Sequence, residues 1–130
     1  METLIWLDDT RDPFDDNKSW LVFSPILDSM YKVIWLKSYK EFTEYIILNG
    51  LPKGICFDYD LGMDVVIKAR SKGISKRASK KLKKNELNGG DCAKWLIKYC
   101  IDNKKELPLY NIQSANSEGK SEIIKILKQN

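Results

Sequence analysis

The chain has 130 residues, a net charge of +4 and 43% apolar residues, which fit a single globular domain with a buried core. No apolar run approaches the roughly 20 residues that a membrane span needs, and no signal peptide is evident, so we expect a cytoplasmic protein. The absence of histidine removes the usual general base and the commonest zinc ligand. Cys56, Cys92 and Cys100 have no metal-ligand spacing and are expected to be buried free thiols.

The chain begins with a short apolar run at residues 3–7, which is rich in β-forming residues and predicts a strand. Residues 10–18 are polar and predict a loop. Residues 20–31 are ambiguous, because Pro25 interrupts an apolar run that fits a strand, a short helix or both. Residues 32–36 are again apolar and predict the second strand.

A helix is predicted between the second and third strands. Ser38 can cap its first turn, and Glu41 three residues later completes the pattern of a capping box. The apolar face of this helix ends at Asn49 and Gly50, which are typical of a helix C-terminus. Residues 54–58 then form a third apolar run and predict the third strand.

A strongly basic insert, at about residues 64–87, follows the third strand. Its segment 66–86 holds nine Lys or Arg residues and one acid, so the rest of the chain has a net charge of −4. We expect either a solvated loop or helix, or a surface that binds a polyanion such as nucleic acid or an acidic protein. The candidate nucleic-acid contacts are Lys76, Arg77, Lys80, Lys81, Lys83 and Lys84.

After the insert, residues 88–102 predict a helix, residues 109–113 a fourth strand and residues from Ser117 onwards a last helix. Strands that alternate with helices indicate a parallel sheet with crossover helices. We therefore predict one α/β domain, residues 1–130, with a flavodoxin-like three-layer α/β/α sandwich. Its shortened sheet has about four strands in the order 2-1-3-4.

Carboxylates end two strands that neighbour each other in this sheet. Asp8 and Asp9 follow the first strand and Asp58 ends the third, on either side of the point where the strand order reverses. Clustered carboxylates repel one another unless a cation compensates them, and Mg²⁺ or Mn²⁺ suits such oxygen ligands. Ser114, at the end of the fourth strand, can donate its hydroxyl to a phosphate that the cation holds.

Three segments, "WLDDTRDP", "FDYDLG" and "SANSEG", resemble in this order the motifs of the cyclic-phosphate processing receiver domain family of bacteria and phages. The resemblance spans the chain except residues 14–32 and the basic insert. It implies a receiver-like fold in a bacterial cell or phage-infected host, with Asp8 and Asp9 as metal ligands. It also implies that Asp58 occupies the position of the phosphoacceptor aspartate, with Ser114 and Asn116 facing the phosphate.

The chain departs from the family pattern at both histidines, where it has Tyr59 and Gln113. Either side chain can still hydrogen-bond a phosphate or a base. Without the two histidines, however, hydrolysis lacks its natural acid–base pair, so catalysis and binding without catalysis both stay as hypotheses. Under the enzymatic hypothesis we expect a metal-dependent phosphoesterase that acts on nucleotides or RNA ends. The candidate catalytic residues are Asp58, Asp60 and Ser114, and the candidate ligand contacts are Arg11, Tyr59, Gln113, Ser114 and Asn116.

Two other hypotheses stand beside the enzyme. The first is a non-catalytic receiver that binds nucleic acid or protein through the basic insert. The second is a receiver that is controlled by phosphorylation of Asp58. A receiver of the ordinary kind has a lysine after a fifth strand, and neither is evident in this sequence.

Overall fold

The computed structural model describes residues 2–13, 31–84, 87–114 and 116–128. Its single sheet has the strand order β2-β1-β3-β4, and every pair of neighbouring strands is parallel. The strands are β1 (Glu2–Leu7), β2 (Tyr31–Leu36), β3 (Gly54–Phe57) and β4 (Leu109–Ile112). The predicted strand positions and order are confirmed, while most of the ambiguous segment 20–31 lies outside the described residues.

The two strands predicted to reach residues 58 and 113 each end one residue earlier, at Phe57 and Ile112. The ladder nevertheless continues through the backbone, because the N–H of Asp58 donates to Leu7 O and that of Gln113 donates to Phe57 O. The side chains of both residues therefore start from fixed positions at the carboxyl edge of the sheet.

In the described ranges five helices connect or follow the strands, and three of them cover one face of the sheet. The helices are α1 (Tyr39–Asn49), α2 (Met63–Ser71), α3 (Lys76–Lys84), α4 (Gly89–Asp102) and α5 (Ser117–Lys128). Helices α1, α4 and α5 pack on the face that carries Ile5, Leu7, Ile55 and Phe57. Leu4, Trp6 and Cys56 are fully buried on the opposite face, which explains why the strands are apolar throughout.

Local capping explains where the helices begin. At α1, Ser38 Oγ accepts a hydrogen bond from the N–H of Glu41 at 3.1 Å, as predicted, and its hydroxyl contacts the Glu41 carboxylate at 3.4 Å. A complete capping box lies instead at α4, where the side chains of Asn88 and Asp91 each accept the backbone N–H of the other. Gly50, with φ of 85°, ends α1 in a conformation that favours glycine.

The basic insert forms two helices, α2 and α3, which pack against each other. The sequence predicted a loop or a helix for this insert, and the structure shows two helices that form a hairpin. Gly73, with φ of 85°, lies in the turn that joins the two helices. We refer to residues 63–84 as the basic hairpin. None of the helices in the described ranges is long and apolar enough to cross a membrane.

Candidate metal and phosphate site

Three aspartates converge at the carboxyl ends of β1 and β3. Leu7 pairs with Phe57 in the sheet, so the residues that follow, Asp8 and Asp58, emerge side by side. One carboxylate oxygen each from Asp8, Asp9 and Asp58 lies within 4.8 Å of the others, and all three side chains are buried. The predicted convergence is confirmed, and we refer to these residues as the acidic cluster.

Asp8 is the most firmly held member of the acidic cluster. It is fully buried, and its Oδ1 accepts the backbone N–H groups of Thr10 at 3.0 Å and Arg11 at 2.9 Å. Its Oδ2 accepts a hydrogen bond from Gln113 Nε2 at 3.2 Å. These donors fix the direction of the carboxylate before any ligand arrives.

Asp9 connects the acidic cluster to the basic hairpin. Its carboxylate accepts the backbone N–H of Met63, the first residue of α2. Burial raises the pKa of Asp9, and the charge of Asp8 adds to this effect, while the hydrogen bond from Met63 opposes it. The carboxylate thus occupies the positive end of α2, where a negative charge is favoured.

Burial and neighbouring acids disfavour the charged form of Asp58. Burial raises its pKa to about 7, and the charges of Asp8, Asp9 and Asp60 push it further in the same direction, while Arg11 opposes them. A carboxylate with such a pKa is stabilised by a proton or by a cation. The charge of Arg11 alone does not balance the acidic cluster.

A cleft of about 220 Å³ opens beside the acidic cluster. It is lined by Asp9, Thr10, Arg11, Asp58, Asp60, Met63 and Ser114. Most of the predicted catalytic, metal and phosphate residues therefore share one cleft, which we call the acidic cleft. Ser114 Oγ accepts the N–H of Asn116 at 3.1 Å, so the hydroxyl proton is left to donate to a ligand.

Arg11 and Gln113 link the acidic cleft to β4. Arg11 Nη1 donates to Gln113 O at 2.6 Å, which holds the guanidinium at the wall of the acidic cleft. The Gln113 side chain is buried behind this contact and donates to Asp8. Among the described residues, Gln113 Oε1 is buried without a hydrogen-bond partner. Gln113 therefore acts on the acidic cleft through Asp8 and does not line it.

Tyr59 does not line the acidic cleft. Its hydroxyl accepts a hydrogen bond from Asn88 Nδ2 at 3.2 Å and bonds to the Glu122 carboxylate, which is the main reason that its pKa is raised to about 12. Asn116 Oδ1 accepts the N–H of Gly119 at 3.0 Å and so caps α5. Tyr59 and Asn116 instead line a second cleft of about 490 Å³ against α5.

Gly89 is a site residue that sequence reasoning missed. A Cβ atom at this position would lie 2.0 Å from the backbone oxygen of Asp58, so α4 can begin this close to β3 only with glycine. The glycine pair Gly89-Gly90 after a capping asparagine is the sequence signal for this contact. Thr10 and Met63 were also missed, because they contribute backbone N–H groups that a side-chain pattern does not show.

The predicted nucleic-acid contacts all lie on α3, away from the lining of the acidic cleft. The side chains of Lys76, Arg77, Lys80 and Lys81 are exposed, whereas those of Lys83 and Lys84 lie outside the described part of the chain. The structure therefore separates the predicted residues into an acidic cleft, a second cleft and a basic hairpin.

A parallel sheet of order 2-1-3-4 with clustered acids at the carboxyl ends of β1 and β3 defines a receiver-like α/β protein. The profile of the Cyclic-phosphate processing Receiver domain family matches residues 3–129, so the chain belongs to that family. The resemblance inferred from the three sequence motifs is confirmed.

A comparison with solved structures also supports the fold. One similar chain is described as amino acids 181–211 of yeast Spc42, a trimeric coiled coil, fused to another protein. The TM-score is 0.51 and the sequence identity 14% over 96% of the present chain, which spans 60% of the length of the other chain. At this identity the likeness shows a shared fold and no shared activity. The curated proteins gave no match.

Proposed function

We propose that the acidic cleft binds Mg²⁺ or Mn²⁺ through Asp8, Asp9 and Asp58, and through the cation a phosphate group of a nucleotide or an RNA end. The observation that carries this proposal is the approach of three buried carboxylates to within 4.8 Å of one another. Isolated buried carboxylates are costly, and three together are stabilised when a cation neutralises their charge.

The donor set fits a hard divalent cation. It consists of carboxylate oxygens, with no thiol or imidazole, and such ligands suit Mg²⁺ and Mn²⁺ more than softer metals. The raised pKa of Asp58 supports the same conclusion, since the metal-free acidic cluster has more negative charge than Arg11 offsets. When bound, the cation would neutralise phosphate charge and polarise a phosphoryl oxygen.

The chain's own residues supply the remaining contacts of a phosphate site. Arg11 offers a guanidinium at the wall of the acidic cleft, and Ser114 offers a hydroxyl proton. Asp60 is exposed at the same wall and is the carboxylate that can accept a proton from an attacking water or hydroxyl group. This arrangement supports processing of a phosphate ester with Asp60 as the base.

A second candidate function is binding of the phosphorylated ligand without turnover. It is favoured by the positions of Tyr59 and Gln113, which stand where the resemblance places histidines. Tyr59 is engaged by Asn88 and Glu122 in the second cleft, and Gln113 is engaged by Asp8. Neither side chain is positioned to transfer a proton in the acidic cleft.

Isothermal titration of the purified protein with MgCl₂ and MnCl₂ tests the cation site, with Asp58→Asn as the variant. Asp102→Asn, an exposed acid at the end of α4, is the matched control. We expect the wild type and the control to bind and Asp58→Asn to lose most of its affinity. Equal binding by all three proteins would refute the site.

Turnover is tested separately with a 2′,3′-cyclic nucleotide and with oligoribonucleotides that end in a phosphate. Product formation that requires the cation and fails in Asp60→Asn supports the enzyme. Cation-dependent binding of these ligands without product, at high protein concentration, supports the second candidate.

A further inference from the structure

The basic hairpin is a positively charged surface whose described cations do not line the acidic cleft. Its exposed and described cations are Lys68, Arg70, Lys72, Lys76, Arg77, Lys80 and Lys81. Asp64 is the one acid among residues 63–84, against nine Lys or Arg residues, so most of this charge is not balanced within the hairpin. The rest of the chain has a net negative charge, so the positive electrostatic potential is concentrated at the basic hairpin.

The cations of α3 are spaced so that they reinforce one another. Lys76 and Lys80 are four residues apart, as are Arg77 and Lys81, and residues at this spacing lie on the same side of a helix about 6 Å apart. Among the side chains of α3 that the structure describes, residues 76–82, Ser79 is the buried one and the others are exposed to solvent. A row of regularly spaced cations on a solvent-facing side matches the regular charge of a phosphate backbone.

The hairpin also begins at the acidic cleft. Met63, the first residue of α2, lines the acidic cleft and donates its N–H to Asp9. Helix α2 has 9 residues and is therefore about 13 Å long, so the turn that joins it to α3 lies only a few nucleotides of a strand away from the acidic cleft. A strand held along the hairpin can thus reach the acidic cleft with its end.

We propose that the basic hairpin binds the phosphate backbone of a nucleic acid and presents the end of that strand to the acidic cleft. The presentation rests on the proposed function, whereas the backbone contact does not. The hairpin contains no aromatic residue on which a base could stack, so binding is independent of base sequence. The substrate class is accordingly a polynucleotide end, and a free mononucleotide lacks the hairpin contacts.

The charges favour nucleic acid over an anionic membrane. The seven exposed cations outnumber the exposed large apolar side chains among the described hairpin residues, which are Met63, Ile67, Ile74 and Leu82. Leu82 is the only large apolar residue of α3, whereas a helix that lies on a membrane needs a continuous apolar side. The hairpin offers charge without the apolar area that insertion requires.

Fluorescence polarisation with a labelled 12-nucleotide oligouridylate that ends in a 3′-phosphate tests the hairpin. The variant replaces Lys76, Arg77, Lys80 and Lys81 by Gln, which keeps helix propensity. The control replaces Lys94, Lys98, Lys104 and Lys105 by Gln, which removes the same charge elsewhere. We expect at least a tenfold loss of affinity in the variant, roughly unchanged affinity in the control, and a salt slope lower by about 3.

Equal losses in the two variants would overturn the proposal, as would binding of phosphatidylserine vesicles without binding of RNA. The hairpin variant is expected to be stabilised by MgCl₂ as the wild type is. This result distinguishes the hairpin proposal from the proposed function of the acidic cleft. Asp58→Asn is expected to lose the MgCl₂ effect and to keep the part of the RNA affinity that depends on the hairpin. If wild-type RNA binding depends on the hairpin but no cation binds, the backbone contact stands and presentation to the acidic cleft is refuted.

Discussion

The carboxylate of Asp9 accepts the backbone N–H of Met63 and so belongs to the acidic cluster and to α2 at once. Gly62, the residue before α2, supplies no side-chain cap, so Asp9 fills that role from a distant part of the chain. The Asp9 carboxylate therefore fixes the start of the basic hairpin at the acidic cleft, whose lining includes Met63.

Substitutions at Asp9 are expected to separate its two roles. Asp9→Asn keeps an oxygen for the N–H of Met63 but removes one charge, so the hairpin should remain ordered while MgCl₂ no longer stabilises the protein. Asp9→Ala loses both functions and should destabilise α2 by about 1 kcal/mol. Amide hydrogen exchange at residues 63–66 measures whether the start of α2 stays ordered. Thermal unfolding with and without MgCl₂ measures the stabilisation by the cation. Identical exchange in the two variants would contradict the assigned cap.

The raised pKa of Asp58 predicts a pH-dependent stability of the metal-free protein. Its folded pKa of about 7 lies above the ordinary 3.8, so the native state binds the proton more tightly than the unfolded state. This contribution is complete below about pH 4 and is lost as the pH rises through about 7. We expect the melting temperature of Asp58→Asn to exceed that of the wild type by an amount that grows from pH 5 to pH 8. A constant difference over this range would contradict the assignment.

Gln113→Glu tests the electrostatic balance of the acidic cluster. The substitution removes the Nε2 donor to Asp8 and places a fourth buried charge beside that carboxylate. We expect a loss of about 1–3 kcal/mol in unfolding free energy at pH 8 without metal, with recovery in MgCl₂ or at lower pH. Urea unfolding with and without MgCl₂ measures this change in unfolding free energy. Gln113→Met, which adds no charge, is the control. A loss of stability that neither metal nor acid relieves would indicate a packing effect alone.

Gly119→Ala tests the contact between α5 and the ring of Tyr59. The added Cβ would lie 2.3 Å from Tyr59 Cγ, so the ring must move, at a cost of about 1–3 kcal/mol. In a Tyr59→Ala background this cost should decrease but not vanish, because the Tyr59 Cβ remains 2.7 Å away. A double-mutant cycle of unfolding free energies measures the coupling, and Ser121→Ala on the same helix is the control. Additive effects at the two positions would refute the contact.

The sheet and the acidic cluster were predictable because both follow from strand positions. Apolar runs fix where the strands lie, parallel order fixes which strands neighbour each other, and Asp8, Asp9 and Asp58 then meet at one edge. The direction of Tyr59 was not predictable, since it follows a strand end, where the backbone no longer alternates in a regular way. Its place is decided by Gly90 and Gly119, which leave room for the ring on α4 and α5.

The basic insert shows a second limit of sequence reasoning. Its charge was evident, but its helical pairing depends on contacts between α2 and α3 and on the cap that Asp9 supplies from the loop after β1. Helix propensity does not distinguish a free helix from a paired one, because tertiary contacts provide most of the stability of a short helix.

Residues 58–60 form a wall shared by the two clefts, with Asp58 and Asp60 on one side and Tyr59 on the other. Gly89 holds this segment so closely that a single added carbon would collide with the Asp58 carbonyl. Because Asp58 and Tyr59 are consecutive and both pack closely, a displacement of Asp58 is expected to alter the fit of the Tyr59 ring against α5. The two clefts are thus neighbouring sites divided by a single short segment of the chain.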